Sequence, residues 1–168
     1  HLRNWGLTQR GFVLLREDPV GGRVIERTLC GGSVRLVAIV VTLKRQRHRL
    51  AAVAATVISA WDQRMVWVDN GAGSAAVRLA NDTSASPTST GVEVKRARRL
   101  RTMGHVANAL AAGDLSADHV DLIAKANQPW RNASFADHEA SLVEHCKTLR
   151  FRDARKVSDY WCNHADAT

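Results

Sequence analysis

From residue 34 onward the chain carries the period of a helix. Leu50, Ala54, Val57, Trp61 and Met65 recur at steps of three and four, with Arg45, Arg49, Thr56, Ser59 and Gln63 roughly opposite. No helix breaker stands between residues 34 and 66. The pattern therefore predicts one long helix there, a central strut of the core with that stripe, Trp61 included, turned inward. Asp69-Asn70-Gly71-Ala72-Gly73 predicts a turn, and Ser74 a cap for a short helix to about Asn81. Ser86-Pro87 joins a capping hydroxyl to a proline at the first helical position, predicting a helix over 87–103 with Val94, Ala97 and Leu100 as its buried edge. Residues 105–112 predict a short helix closed by Gly113 in a left-handed cap. Ser116 caps the next helix, Leu115 and Val120 are placed as its hydrophobic staple, and it ends before Pro129. Ser134 with Asp137 reads as a capping-box start for a helix carrying Phe135, Leu142, Cys146 and Leu149, and a last helix shows Phe151, Ala154, Val157 and Trp161 on one face.

Residues 1–33 lack such a period. Gly21-Gly22 and Gly31-Gly32 interrupt it, and a strand or two near 11–15 and 23–28 is the most the pattern offers. The expectation is an all-α, multi-helix bundle with one long N-terminal helix over 34–168, preceded by a small irregular extension, 1–33, that need not join the core.

A chain of 168 residues, 45 % hydrophobic and 24 % charged, is one domain's length with an ordinary globular balance. That excludes a collagen-like repeat, a wholly disordered chain and a disulfide miniprotein. The longest apolar stretch is far short of the roughly 20 residues a membrane span needs, so no membrane partner is expected. The start, His1-Leu2-Arg3-Asn4-Trp5, shows no signal peptide, and without an initiator Met the chain reads as a fragment or processed product. Cys30, Cys146 and Cys162 form no disulfide framework, which points to a reducing, cytoplasmic setting. The sequons at Asn81 and Asn132 are then chance matches.

Charge sharpens the picture. The net charge is +8, unevenly placed: +5 over 34–66, +4 over 93–104 and −4 over 105–145. Two basic clusters are candidate nucleic-acid contacts through phosphate. The first is Lys44, Arg45 and Arg49 on the long helix; the second is Lys95, Arg96, Arg98, Arg99 and Arg101 on the helix 87–103. Like charges so close repel unless neutralised, and the acidic stretch 105–145 is positioned in sequence to do that. The alternative is a protein-interaction or oligomerisation domain, in which the long helix pairs with a second copy. Residues 105–126 have the size of a helix-turn-helix, but Asp118 and Asp121 in the second helix would be repelled by phosphate, so a hairpin packed in the core is expected.

The chemistry of a site is absent from the pattern. His138, His145, Cys146, Cys162 and His164 lack the paired spacing of a zinc site, and Cys146 completes an apolar stripe. His119 has no nucleophile near it in sequence. No phosphate-cradling glycine loop, serine elbow or carboxylate pair appears. The expectation is no catalytic residue, no cofactor and no metal.

Four stretches resemble a known family. They are Ala60-Trp61-Asp62-Gln63-Arg64 with Trp67 and Gly71-Ala72-Gly73-Ser74; Ala97-Arg98-Arg99-Leu100-Arg101-Thr102-Met103 running into Val106-Ala107-Asn108-Ala109-Leu110-Ala111-Ala112-Gly113-Asp114-Leu115-Ser116; Asp118-His119-Val120 with Leu122-Ile123-Ala124; and His138-Glu139-Ala140 with Phe151-Arg152-Asp153, Trp161 and His164-Ala165-Asp166. Over about 45–168 the chain resembles the DUF222 domain, the N-terminal helical domain of 13E12-repeat and HNH-endonuclease-like proteins. Gly104 and Arg78 depart from the family's usual Pro and Trp. The resemblance implies a helical domain that positions a nuclease-type module on nucleic acid. The His-rich, metal-binding cluster of such a module is not among these residues, so no nuclease activity is expected of them.

Overall fold

The computed structural model describes residues 33–167 and four two-residue strands. The chain divides into two compact units, His1–Lys44 and Arg45–Thr168. In the first, β1 (Leu7–Thr8) pairs antiparallel with β2 (Gly11–Phe12), and β3 (Arg16–Glu17) with β4 (Arg23–Val24), with Leu7 opposite Phe12 and Arg16 opposite Val24. These pairs include the starts of the two expected strands. The rest of those stretches, the glycine pairs and Cys30 lie outside the described residues, as does the expectation that 1–33 need not join the core.

From Ser33 the structure is helical, and the fold is all-α. The α-helices are α1 (Ser33–Gln63), α2 (Ala75–Thr83), α3 (Pro87–Leu100), α4 (Gly104–Ala112), α5 (Ala117–Ala126), α6 (Asn132–Thr148) and α7 (Phe151–Asp166). Side-chain caps stand where the sequence puts them: Ser74 Oγ accepts from Val77 N, Ser86 Oγ from Thr88 N and Ser116 Oγ from His119 N. Gly113 closes α4 at φ 82°, a conformation that costs glycine nothing. The core of the second unit gathers Met103, Val106, Leu110, Leu115, Val120, Ile123 and Phe135, all fully buried. The hairpin of α4 and α5 is thus core structure, as expected.

Three expectations are corrected. α1 ends at Gln63, because Met65 takes a left-handed backbone (φ 53°) that leads into a 3₁₀ turn, Val66–Asn70. α3 ends at Leu100, three residues early, and Met103 is fully buried instead of closing the helix. α6 begins at Asn132, directly after a 3₁₀ turn at Pro129–Arg131, so Ser134 lies inside the helix and caps nothing. There its carbonyl oxygen meets His138 Nδ1 at 2.8 Å.

The larger correction concerns the face of α1. Leu50, Val57 and Met65 are 68 %, 62 % and 56 % exposed, Ala54 is exposed, and Trp61 is only half-buried. The packed edge is Ala52, Ala55 and the carboxylate of Asp62, with Ser59 half-buried between them. The helix is amphipathic in the expected sense but turned about. Its small side chains face the body because the backbone comes close to the α4–α5 turn. A Cβ at Gly113 would lie 2.5 Å from Arg45 Cγ and 3.1 Å from the Arg45 carbonyl oxygen. A row of leucines on that side would hold the helix off.

Candidate nucleic-acid interface

Helix α3 carries the denser basic cluster because Val94 and Ala97 take its narrow buried edge and leave the rest of its circumference to long cationic side chains. These cations separate into two groups. On one side Arg98 makes a forked pair with Asp62: Nε donates to Oδ2 at 2.8 Å and Nη2 to Oδ1 at 2.7 Å. Arg101 Nη2 adds a third bond to Asp62 at 3.1 Å. Asp62 is 8 % exposed, and the hydrogen bond from Arg98 holds its carboxyl below the usual range against the opposing effect of burial. Two cations are spent here on one carboxylate.

On the other side α3 faces α5. Arg96 makes a forked pair with Asp121, Nε to Oδ1 at 2.8 Å and Nη2 to Oδ2 at 2.6 Å. Arg99 Nη1 donates to the carbonyl oxygen of Asn127, 2.9 Å away at the C-terminal cap of α5, where the helix dipole favours a cation. A cavity of about 250 Å³ opens between the two helices, bounded by Lys95, Arg96 and Arg99 from α3, by Asp121 and Lys125 from α5, and by Gln128. Val92 and Ala124 supply apolar wall. Four cations and one carboxylate leave the rim at +3. Lys95 and Lys125 are exposed.

The long-helix cations do not share this site. Arg49 Nε donates to the carbonyl oxygen of Ala111 at 3.3 Å, near the end of α4, and the stems of Arg45 and Arg49 lie over Gly113. Lys44, in the first unit, is exposed. Of the eight sequence candidates, Lys95, Arg96 and Arg99 line one cavity, Arg98 and Arg101 converge on Asp62, and Arg45 and Arg49 lie along the end of α4.

Sequence reasoning missed three functional parts. Lys125 stands alone among acidic neighbours and gave no signal. Asp62 was missed as an ion-pair partner; the signal that could have found it is its place at the end of the small-residue row Ala52, Ala55, Ser59. Glu139, 6 % exposed on α6, accepts from Val106 N at 2.9 Å and so satisfies a free N–H in the first turn of α4. His119 packs edge-on against Phe151, its ring Nδ1 2.8 Å from Ser116 Oγ, and burial pushes its pKa down. Cys146 is buried, which raises its thiol pKa. A larger cleft of about 470 Å³ between α1 and the α3–α4 pair has Arg101 as the sole charged side chain on its lining, so it offers no acid–base pair. Among the described residues no three His, Cys, Asp or Glu side chains gather as metal ligands, and no helix is long and apolar enough to cross a membrane.

A family model described as a domain of unknown function, DUF222, matches residues 37–167. No curated protein and no solved structure matches the chain.

Proposed function

Because the chain belongs to the DUF222 family, in which this helical domain resembles the N-terminal part of HNH-endonuclease-like proteins, we propose that it is a non-catalytic module that contacts nucleic acid through phosphate and so positions a nuclease-type module. The observation that carries this reading is the cationic cavity between α3 and α5. Lys95 and Lys125, from two different helices, stand on one rim with Arg96 and Arg99; Asp121 is the one carboxylate on the lining, with Glu93 and Asp118 acting on Arg96 from outside it. A phosphate oxygen at that rim exchanges water for fixed cations and releases counterions from the polymer. Lysines hold phosphate as point charges without reading bases, α3 carries no Asn or Gln among its cations, and Gln128 on the lining donates its amide to the Lys125 carbonyl oxygen, so contact at the cavity is weakly sequence-dependent. The Arg98–Asp62–Arg101 group, by contrast, is structural. Anisotropy of a labelled duplex, titrated with the parent and with Lys95→Ala/Lys125→Ala, tests this reading: the double variant binds several-fold more weakly. Equal binding removes the cavity from the interface.

The second reading, a protein-interaction domain without nucleic-acid contact, is favoured by the outward Leu50 and Val57 of α1.

A further inference from the structure

The cations around the cavity between α3 and α5 keep hydrogen-bond donors to spare. The forked pair with Asp121 uses Nε and Nη2 of Arg96, and Arg99 gives Nη1 to the Asn127 carbonyl oxygen. Among the described residues no acceptor takes Nη1 of Arg96, Nε or Nη2 of Arg99, or the ammonium groups of Lys95 and Lys125. These donors come from both walls, Lys95, Arg96 and Arg99 from α3 and Lys125 from α5. The Arg96 side chain is 13 % exposed and Arg99 is half-buried, whereas both lysines are exposed. The guanidinium groups are thus drawn in between the helices and the ammonium groups stand at the mouth. At about 250 Å³ the space falls below the roughly 300–1,000 Å³ of a pocket for a drug-sized molecule, and suits a compact anion on a short stem.

A phosphate inside a strand has two free oxygens, and the strand leaving on both sides holds it at the rim. A terminal phosphomonoester offers three acceptor oxygens and a charge of about −1.5 to −2 at pH 7 on a single stem. It can pass between the walls to the inner guanidinium groups while the two ammonium groups close on it. Resting on the reading of this cavity as a phosphate contact, we propose that its preferred ligand is the phosphomonoester end of a nucleic-acid strand. Asp121 does not oppose this, because both its oxygens are already held by Arg96 and the lining remains at +3. Glu93 and Asp118, which act on Arg96 from outside the lining, are exposed and screened by solvent. Val92 and Ala124 keep part of the wall apolar, which strengthens charge contacts beside it.

The test uses the whole chain and one short labelled duplex made with 5′-hydroxyl, 5′-phosphate or 3′-phosphate ends. By anisotropy at about pH 7.5, where the monoester has lost its second proton, one phosphorylated form binds at least about fivefold tighter than the hydroxyl form. The form preferred identifies the end. The preference shrinks as pH falls through the monoester's second pKa of about 6, and no histidine lines the cavity to mimic that change. Lys95→Ala/Arg99→Ala/Lys125→Ala loses the preference, and Arg101→Ala keeps it. Equal binding of all three forms, still weakened in the triple variant, overturns the end-group proposal and leaves phosphate contact along the strand standing. A preference that survives the triple variant also overturns it, since the end group then binds elsewhere. Absence of duplex binding even at low salt removes both readings, and a nucleoside 5′-monophosphate that still binds then makes a free nucleotide the ligand.

Discussion

Asp62 Oδ1 lies 2.7 Å from Arg98 Nη2, so a buried carboxylate on the packed edge of α1 is held by a half-exposed guanidinium on α3. The pair, joined by Arg101, ties together two helices that also border the cleft of about 470 Å³. It keeps the Asp62 carboxyl ionised at pH values where the unfolded chain has begun to take up a proton. Its contribution is therefore fully present above the unfolded pKa of about 3.9 and is lost as pH falls through the lower folded value. Asp62→Asn is expected to cost about 1–3 kcal/mol at neutral pH, less than a fully buried pair because Arg98 meets water. Urea unfolding of parent and variant checks this. The difference should shrink steadily at pH values below about 4. A constant difference across that range would show that shape, not charge, is what Asp62 supplies.

Gly113→Ala is expected to destabilise by about 1–3 kcal/mol. The residue sits at φ 82°, and a methyl there would press on Arg45 Cγ and on the Arg45 carbonyl oxygen. Either the cap of α4 or the close approach of α1 must give. A thermal melt reads the loss, and a melting temperature equal to the parent's would show that α1 does not depend on this approach.

Burial pushes the His119 pKa down, with the nearby charge of Asp118 opposing and that of His48 assisting. The unfolded chain then binds the proton more readily than the folded one. Stability should fall as pH drops through the unfolded pKa of about 6.5. His119→Gln should flatten that decline. Parallel pH profiles for parent and variant would assign the slope to other groups.

Most of the architecture was legible in the sequence because helix ends are local chemistry. The Ser74, Ser86 and Ser116 caps and the Gly113 closure each need a hydroxyl or a glycine within a few residues, and each was found where expected. Ser134 misled because a 3₁₀ turn at Pro129–Arg131 had already started α6 upstream. The facing of α1 was not legible. Its strongest apolar stripe and its packed edge are different rows of one helix, and the choice was made by the distant Gly113. The basic helix was legible as charge and only in part as pairing: Asp121, partner of Arg96, lies in the acidic stretch expected to neutralise it, and Asp62 does not. Asp62 lies 36 residues from Arg98 and Asp121 lies 25 from Arg96, so no local spacing announced which cations would be neutralised and which, with Lys125, would remain.

The division of α3 into a neutralised side and a phosphate-facing side is most directly tested by the salt dependence of duplex DNA binding. Each phosphate neutralised adds about −0.9 to the slope of log affinity against log salt. Lys95→Ala/Arg99→Ala/Lys125→Ala, checked for parent-like circular dichroism, should flatten that slope by up to about 3, whereas Arg101→Ala, which loses a cation already committed to Asp62, should leave it nearly unchanged. Equal slopes for the parent and the triple variant, or no binding by the parent even at low salt, would contradict the account.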